Sequence, residues 1–264
     1  MSRFRQRLHS QYSSGGVQVI REAITSKQFA PSPGLALADV NARGFWAYDG
    51  VGAFDAALNP TMYSMTLAGQ LRAQIDPAGA INTDFGEWYN DDSIVTDYPA
   101  QVLASRILRS EIMLDYELLG SVVLPISTFS IIPYDPLTGY AAAAIAFVVA
   151  IANPATYLFS EGALAPGGIG TAFVNERDAM CNKVKISAVR VNAGQKNFVV
   201  NWWDRTAGAM QTATLNWIAA GVGDQALLWA IQMPNAGGLP THSELLVRNL
   251  LVSDGPITYG NAPV

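Results

Sequence analysis

The sequence predicts an all-β protein: an antiparallel β-sandwich of jelly-roll type with an extended N-terminal arm and one short helix. Three observations lead there. Apolar and polar side chains alternate over many short stretches, the pattern of a strand with one buried face. Clusters of Gly, Pro, Asp and Asn separate these stretches at the spacing of a sandwich or barrel. Only one segment has helical spacing, and no strand–helix alternation repeats, which argues against a doubly wound sheet.

Residues 1–34 read as the arm. Ser10 to Gly16 has little to bury, Val17 to Lys27 suits a short helix or strand, and Ala30-Pro31-Ser32-Pro33-Gly34 breaks the chain. Residues 35–264 are expected to form a single sandwich domain, entered through an irregular stretch pinned by Phe45, Trp46, Tyr48 and Phe54. Tyr63 to Ile75 alternates almost without fault. Tyr63, Met65, Leu67, Leu71, Ala73 and Ile75 share one face, so the stretch reads as one long strand ended by Asp76-Pro77-Ala78-Gly79. Asp97-Tyr98-Pro99 opens the single helix, with Leu103 and Ile107 at helical spacing and an end near Ser110.

A strand follows in which Ile112, Leu114, Tyr116 and Leu118 alternate with Glu111, Met113, Asp115 and Glu117. Pro125 interrupts the next β-rich run, as at an edge or bulge. Tyr140 to Ala152 reads as a strand buried on both faces, with Ile145, Phe147, Val149 and Ile151 on its bulkier side. Lys183–Val191 and Lys196–Trp203 pair through Asn192-Ala193-Gly194. Asp204–Gly208 then turns the chain into Met210–Ile218. Gln225–Met233 and Glu244–Val252 complete about ten strands.

Half of the 264 residues are apolar and 14% are charged, against roughly 25% charged in an ordinary soluble domain. Such a surface suits a membrane or contact with other chains. The apolar run 140–152 spans thirteen residues, short of the roughly 20 of a spanning helix, and a membrane β-barrel leaves too weak a signal per strand to read. Cys181 is the single cysteine, so no internal disulfide forms. The net charge of −5 is uneven. Residues 1–27 carry five basic groups and one acidic, +4, while the remainder carries 11 basic and 20 acidic, −9. Arg3, Arg5 and Arg7 therefore stand as contacts for nucleic acid or an anionic surface, against the plainer reading of a solvated leader.

No phosphate-binding glycine loop is present, and neither His9 nor His242 sits in a triad setting. Glu111, Asp115 and Glu117 share a strand face and, with Trp88, Trp202 and Trp203, suggest a sandwich that binds or hydrolyses saccharides. The simpler expectation is that an amphipathic strand holds these acids in water. Asp84, Glu87, Asp91 and Asp92, with Asp97, supply oxygens enough for calcium, without an EF-hand spacing. Trp202 and Trp203 face opposite ways: one ring belongs in the core, the other at a second layer, partner or ligand. Phe4 and Tyr12 join them as interface candidates.

Abundant Ala, Gly and β-branched residues, few Lys, Cys and His, a basic leader and long loops give the chain its character. In this it resembles bacteriophage virion structural proteins, in particular jelly-roll capsid subunits. That resemblance implies a non-enzymatic subunit, without a cofactor, that self-assembles into a symmetric shell. It would be assembled in the host cytoplasm and reside in the virion. Its partners would be copies of itself and other virion proteins, with the arm reaching the genome or an inner membrane. A carbohydrate-binding protein or glycoside hydrolase is the alternative, and a tail or spike component a third.

Overall fold

A computed structural model describes residues 26–29, 32–36, 38–39, 46–48, 63–74, 83–86, 100–120, 127–135, 147–153, 156–161, 173–176, 182–204, 208–233 and 243–258. In chain order the strands are β1 (Ser26–Phe29), β2 (Trp46–Tyr48), β3 (Tyr63–Met65), β4 (Leu71–Gln74), β5 (Thr83–Gly86), β6 (Arg109–Gly120), β7 (Ser127–Tyr134), β8 (Phe147–Asn153), β9 (Thr156–Glu161), β10 (Phe173–Glu176), β11 (Asn182–Asn192), β12 (Gln195–Asp204), β13 (Ala209–Ile218), β14 (Leu228–Met233) and β15 (Ser243–Ser253). Among the described residues, α-helix α1 (Ala100–Leu108) and a 3-10 turn, η1 (Val222–Asp224), join them.

The strands form two antiparallel sheets, so the predicted all-β sandwich is what the chain builds. The larger sheet runs β13-β12-β11-β6-β15-β4-β3, with β1 also on β15. The smaller runs β10-β9-β8-β7-β14-β5-β2. Period-two alternation delivers the core. Ile112, Leu114 and Tyr116 of β6, Val184, Ile186 and Ala188 of β11, Phe198, Val200 and Trp202 of β12, and Leu245, Val247, Leu250 and Val252 of β15 all point inward. They meet Phe129, Ile131, Phe147, Trp229 and Ile231 of the other sheet. Tyr116 packs edge-on against Phe129 at 4.9 Å, and Phe198 lies 5.5 Å from Phe147, ring pairs that span the two layers.

Several expectations hold. α1 starts just after Pro99 and ends at Leu108; β6, β11, β12, β13 and β15 fall where alternation places them. The stretch Tyr63–Ile75 does not form one strand. It folds as the hairpin β3–β4, with Tyr63 opposite Ala73 and Met65 opposite Leu71. Leu67, expected inward, sits at the tip and is 98% exposed. Thr66 closes the turn by accepting from Gly69 N–H and donating its own N–H to Gln70 O, while Gly69 takes a positive φ of 77°. Phe147 of the apolar run is buried; residues 140–146 lie outside the described set. Ser26–Phe29, at the end of the expected arm, pairs with Leu250–Ser253 of β15. Among the described residues no helix is long and apolar enough to cross a membrane.

One end of the sandwich is closed by polar groups. There the inward row of β11 and β12 passes from hydrophobes to Arg190 and Lys196, which are cross-strand partners. Lys196 is 1% exposed. Its ammonium donates to Ile107 O, near the end of α1, at 2.8 Å, and to Gly223 O in η1 at 2.7 Å. A late helix carbonyl is thereby satisfied by a cation, as the helix dipole favours. Arg190 reaches Asp224 at 2.9 Å. Gly223 also donates its N–H to Ala193 O at 3.0 Å, and a Cβ there would overlap the Asn192 carbonyl.

Two outcomes follow for this end. Gly223→Ala should lower the unfolding free energy by about 2 kcal/mol or more, since the obstacle is backbone; urea titration at neutral pH measures it. Burial pushes Lys196 down from 10.5 to about 8, Arg190 adding to the shift while Asp224 and Asp135 oppose it. Between these pH values the unfolded chain binds more protons, so stability rises with pH across that window, by up to about 3 kcal/mol. Below pH 8 the native state bears the full cost of the buried charge. In Lys196→Met that rise should vanish; an identical pH profile for variant and wild type would refute it.

Candidate functional site

The outward face of the larger sheet concentrates charge. On β6 the outward positions are Arg109, Glu111, Met113, Asp115 and Glu117. The registers of β11 and β15 set Lys183 and Asn249 opposite Asp115, and Ser187 and Ser253 opposite Glu111. A register shift in β15 between Val247 and Asn249 holds Arg248 beside Glu117.

The expectation that these acids stand in water is corrected by the structure: Glu111 and Asp115 are both 0% exposed. Alternation sends them out of the hydrophobic core, but the face they reach is itself covered. Desolvated acids need partners, and the neighbouring strands supply cations.

The row divides into two parts. Glu111 is a clamp. Its Oε1 accepts from Arg109 Nε at 2.6 Å, its Oε2 meets Lys185 Nζ at 3.1 Å, and the same oxygen accepts Ile257 N–H at 2.7 Å. Lys185 in turn donates to Ile257 O at 2.9 Å. The segment after β15 is thus strapped across the sheet by both backbone groups of one residue. Each oxygen of Glu111 is engaged, which leaves it little scope for chemistry.

Asp115 is different. Its Oδ1 faces Lys183 Nζ at 3.5 Å, the outer limit of a hydrogen bond, and no hydrogen bond of good geometry reaches that oxygen. Asn249 Nδ2 approaches Oδ2 at 3.5 Å. Burial raises the carboxyl above its ordinary value of 3.8, with Lys183 and then Asn249 only partly opposing that effect. Two residues on, Glu117 faces the same way and meets Arg248 Nη2 at 3.4 Å, its side chain 14% exposed. Lys183, Arg248 and Asn249 belong to this site although single-strand reading passes over them. The signal lay in the Lys183, Lys185, Ser187 alternation of β11, which acquires meaning only once its register on β6 is known.

The tryptophans separate as expected. Trp202 enters the core, which withdraws it as an interface candidate. Trp203, half-buried, lies on the outward face with Asn201, whose Nδ2 donates to Thr212 Oγ1 at 2.8 Å. Asp84 falls on β5, opposite Gln232 and Tyr48. Glu87, Asp91, Asp92, Asp97, Trp88, Arg3, Phe4, Arg5, Arg7 and Tyr12 lie outside the described residues.

Neither a family model nor a curated protein sequence matches this chain. Its fold is similar to solved structures at very low identity. One is a family 7 alginate lyase A1-II′ variant in complex with product: 9% identity, 79% of this chain and 94% of that chain covered, TM-score 0.50. Another is the conserved carbohydrate esterase of Shiga toxin-encoding bacteriophage phi24B: 10% identity, 88% of this chain and 99% of that chain covered, TM-score 0.50. These likenesses concern the fold. They correct the expectation of a non-enzymatic protein, because the same sandwich architecture carries enzymes. They bring no support for a capsid subunit in particular.

The Asp115–Lys183 pair makes an asymmetric prediction. Asp115→Asn deprives the buried Lys183 ammonium of its facing carboxylate, but it also removes a charge whose folded pKa is raised, so near neutral pH it should cost clearly less than Lys183→Met. Relative to the wild type the variant should lose ground as pH falls and the wild-type carboxyl takes up its proton. Lys183→Met strands the Asp115 carboxylate and should cost about 3–5 kcal/mol. Chemical denaturation of both variants at two pH values tests the pair; equal losses would show that Asp115 serves stability alone.

Proposed function

We infer that this protein acts on carbohydrate, binding a saccharide on the outward face of the larger sheet and cleaving a glycosidic bond with Asp115 and Glu117. The observation that carries the reading is Asp115: a buried carboxyl with a raised pKa and a poorly satisfied oxygen, one strand repeat from a second, partly exposed carboxylate. Perturbed acids of this kind concentrate at active sites. Glycoside hydrolysis needs two carboxyl groups in different environments. Asp115, 0% exposed in the unbound protein and kept closer to its neutral form, donates its proton to the leaving glycosidic oxygen once saccharide binding displaces the groups that cover it. Glu117, oriented by Arg248, attacks the anomeric carbon or activates water there. Positions i and i+2 of a strand lie about 6.7 Å apart at Cα, which suits a carboxyl pair flanking one bond. Trp203 offers a flat apolar ring on the same face. The alginate lyase and the carbohydrate esterase support the reading to the extent that this fold houses carbohydrate chemistry.

A second reading, that the protein is a virion component such as a tail or spike subunit, draws on the bacteriophage origin of the esterase and on the low surface charge. It is compatible with the first. Immunogold labelling of purified particles checks it.

Reducing-end release from a panel of polysaccharides, with calorimetric binding in parallel, tests the main reading. Asp115→Asn and Glu117→Gln should each lower turnover about a hundredfold or more while saccharide binding persists. Glu111→Gln should loosen the strap and lower stability, leaving turnover per folded molecule near wild type. Absence of both binding and release across the panel overturns the proposal.

A further inference from the structure

Among the described residues the outer strand of the larger sheet, β13, is an unguarded edge. Sheet edges expose a row of unpaired N–H and C=O groups, and proteins that stay apart protect them with short strands, charges, prolines or bulges. Among the described residues the other terminal strands follow that rule. β2 and β3 are three residues long, and β10 has four residues and ends on Glu176. β13 is ten residues long, Ala-Met-Gln-Thr-Ala-Thr-Leu-Asn-Trp-Ile, with no charge and no proline. Its pairing with β12 runs from Gln195–Ile218 to Asp204–Ala209 without a register shift. Ile218 at its end is 73% exposed. Ala213 and Leu215 pack only partly buried against the core.

We propose that β13 pairs antiparallel with β13 of a second copy of this chain, joining two larger sheets into one continuous sheet across a two-fold axis. The occupant follows from the strand itself. An uncharged strand meets its own copy without repulsion, and a two-fold interface requires only that a surface complement itself. The axis must pass through a single residue, because inward positions of one copy have to face inward positions of the other. An axis at Thr214 sets Ala213 against Leu215 on the core side. On the outer side it sets Thr214 against Thr214, Thr212 against Asn216, and Met210 against Ile218. Both half-buried hydrophobes and the exposed isoleucine gain cover in that register. An axis at Ala213 leaves Ile218 without an opposite residue. This inference stands independently of any carbohydrate activity: two strands, β12 and β11, separate β13 from β6.

Sedimentation velocity of the full chain over a wide concentration range should show a monomer–dimer equilibrium. Thr214→Lys sets two ammonium groups opposite each other at the axis and should weaken the dimer about fivefold or more. Thr214→Cys, in a Cys181→Ser background, brings two thiols within disulfide reach and should give a covalent dimer on mild oxidation. Asn216→Cys, facing Thr212 of the partner, should not. Circular dichroism confirms that each variant is folded. A monomeric wild type overturns the proposal, as does a dimer indifferent to Thr214→Lys or cross-linking that prefers position 216.

Discussion

Around Glu111–Asp115 of β6, with Lys183 and Ser187 of β11 and Ser253 of β15 alongside, the larger sheet is withdrawn from water on both faces, and most of the chemistry in this protein traces to that constraint. A strand must send half its side chains each way. On the inner side the answer is hydrophobic: Ile112, Leu114, Val184, Ile186, Leu250 and Val252 fill the space between the sheets. On the outer side the chain places acids and cations, and because that side is covered too, each buried charge must find its opposite. Asp115 with Lys183, and Glu111 with Arg109 and Lys185, are the result. The two acids then diverge. Complete coordination makes Glu111 a fastener, while sparse coordination leaves Asp115 chemically disposed to hold a proton.

How legible this was depended on which step in the hierarchy carried the information. Strand identity is local, so β6, β11, β12, β13 and β15 could be read directly from alternation. The opposite orientations of Trp202 and Trp203 were legible for the same reason. The hairpin β3–β4 was not. It pairs Tyr63 with Ala73 and Met65 with Leu71, positions of the same parity, so the inside–outside rhythm passes through the turn unbroken. Only Gly69 marks the reversal, and one glycine in an alternating run is a weak signal. The surroundings of Asp115 were illegible for a different reason. Lys183 and Asn249 are far away in sequence, and they meet Asp115 only through strand registers that no local pattern encodes. A solvated acid and a buried one look alike until the neighbouring strands are placed.

The likeness to a polysaccharide lyase and a carbohydrate esterase at about a tenth identity fits this division. Two layers of alternating strands tolerate almost any sequence that keeps the period, so the architecture persists while the residues change. The outward positions of the central strands, by contrast, are not constrained by the core.

The place of β15 has a consequence for how the molecule is made. It follows the other fourteen described strands in the chain, yet it sits inside the larger sheet, between β6 and β4, with β1 also paired to it. Until residue 253 has left the ribosome, β6 and β4 cannot join into one sheet. The nascent chain must hold two fragments of sheet with open inner edges for much of its synthesis. Long-range pairing of this kind folds slowly and exposes hydrophobic surface meanwhile. The larger sheet therefore closes late, when β15 zips β6 to β4.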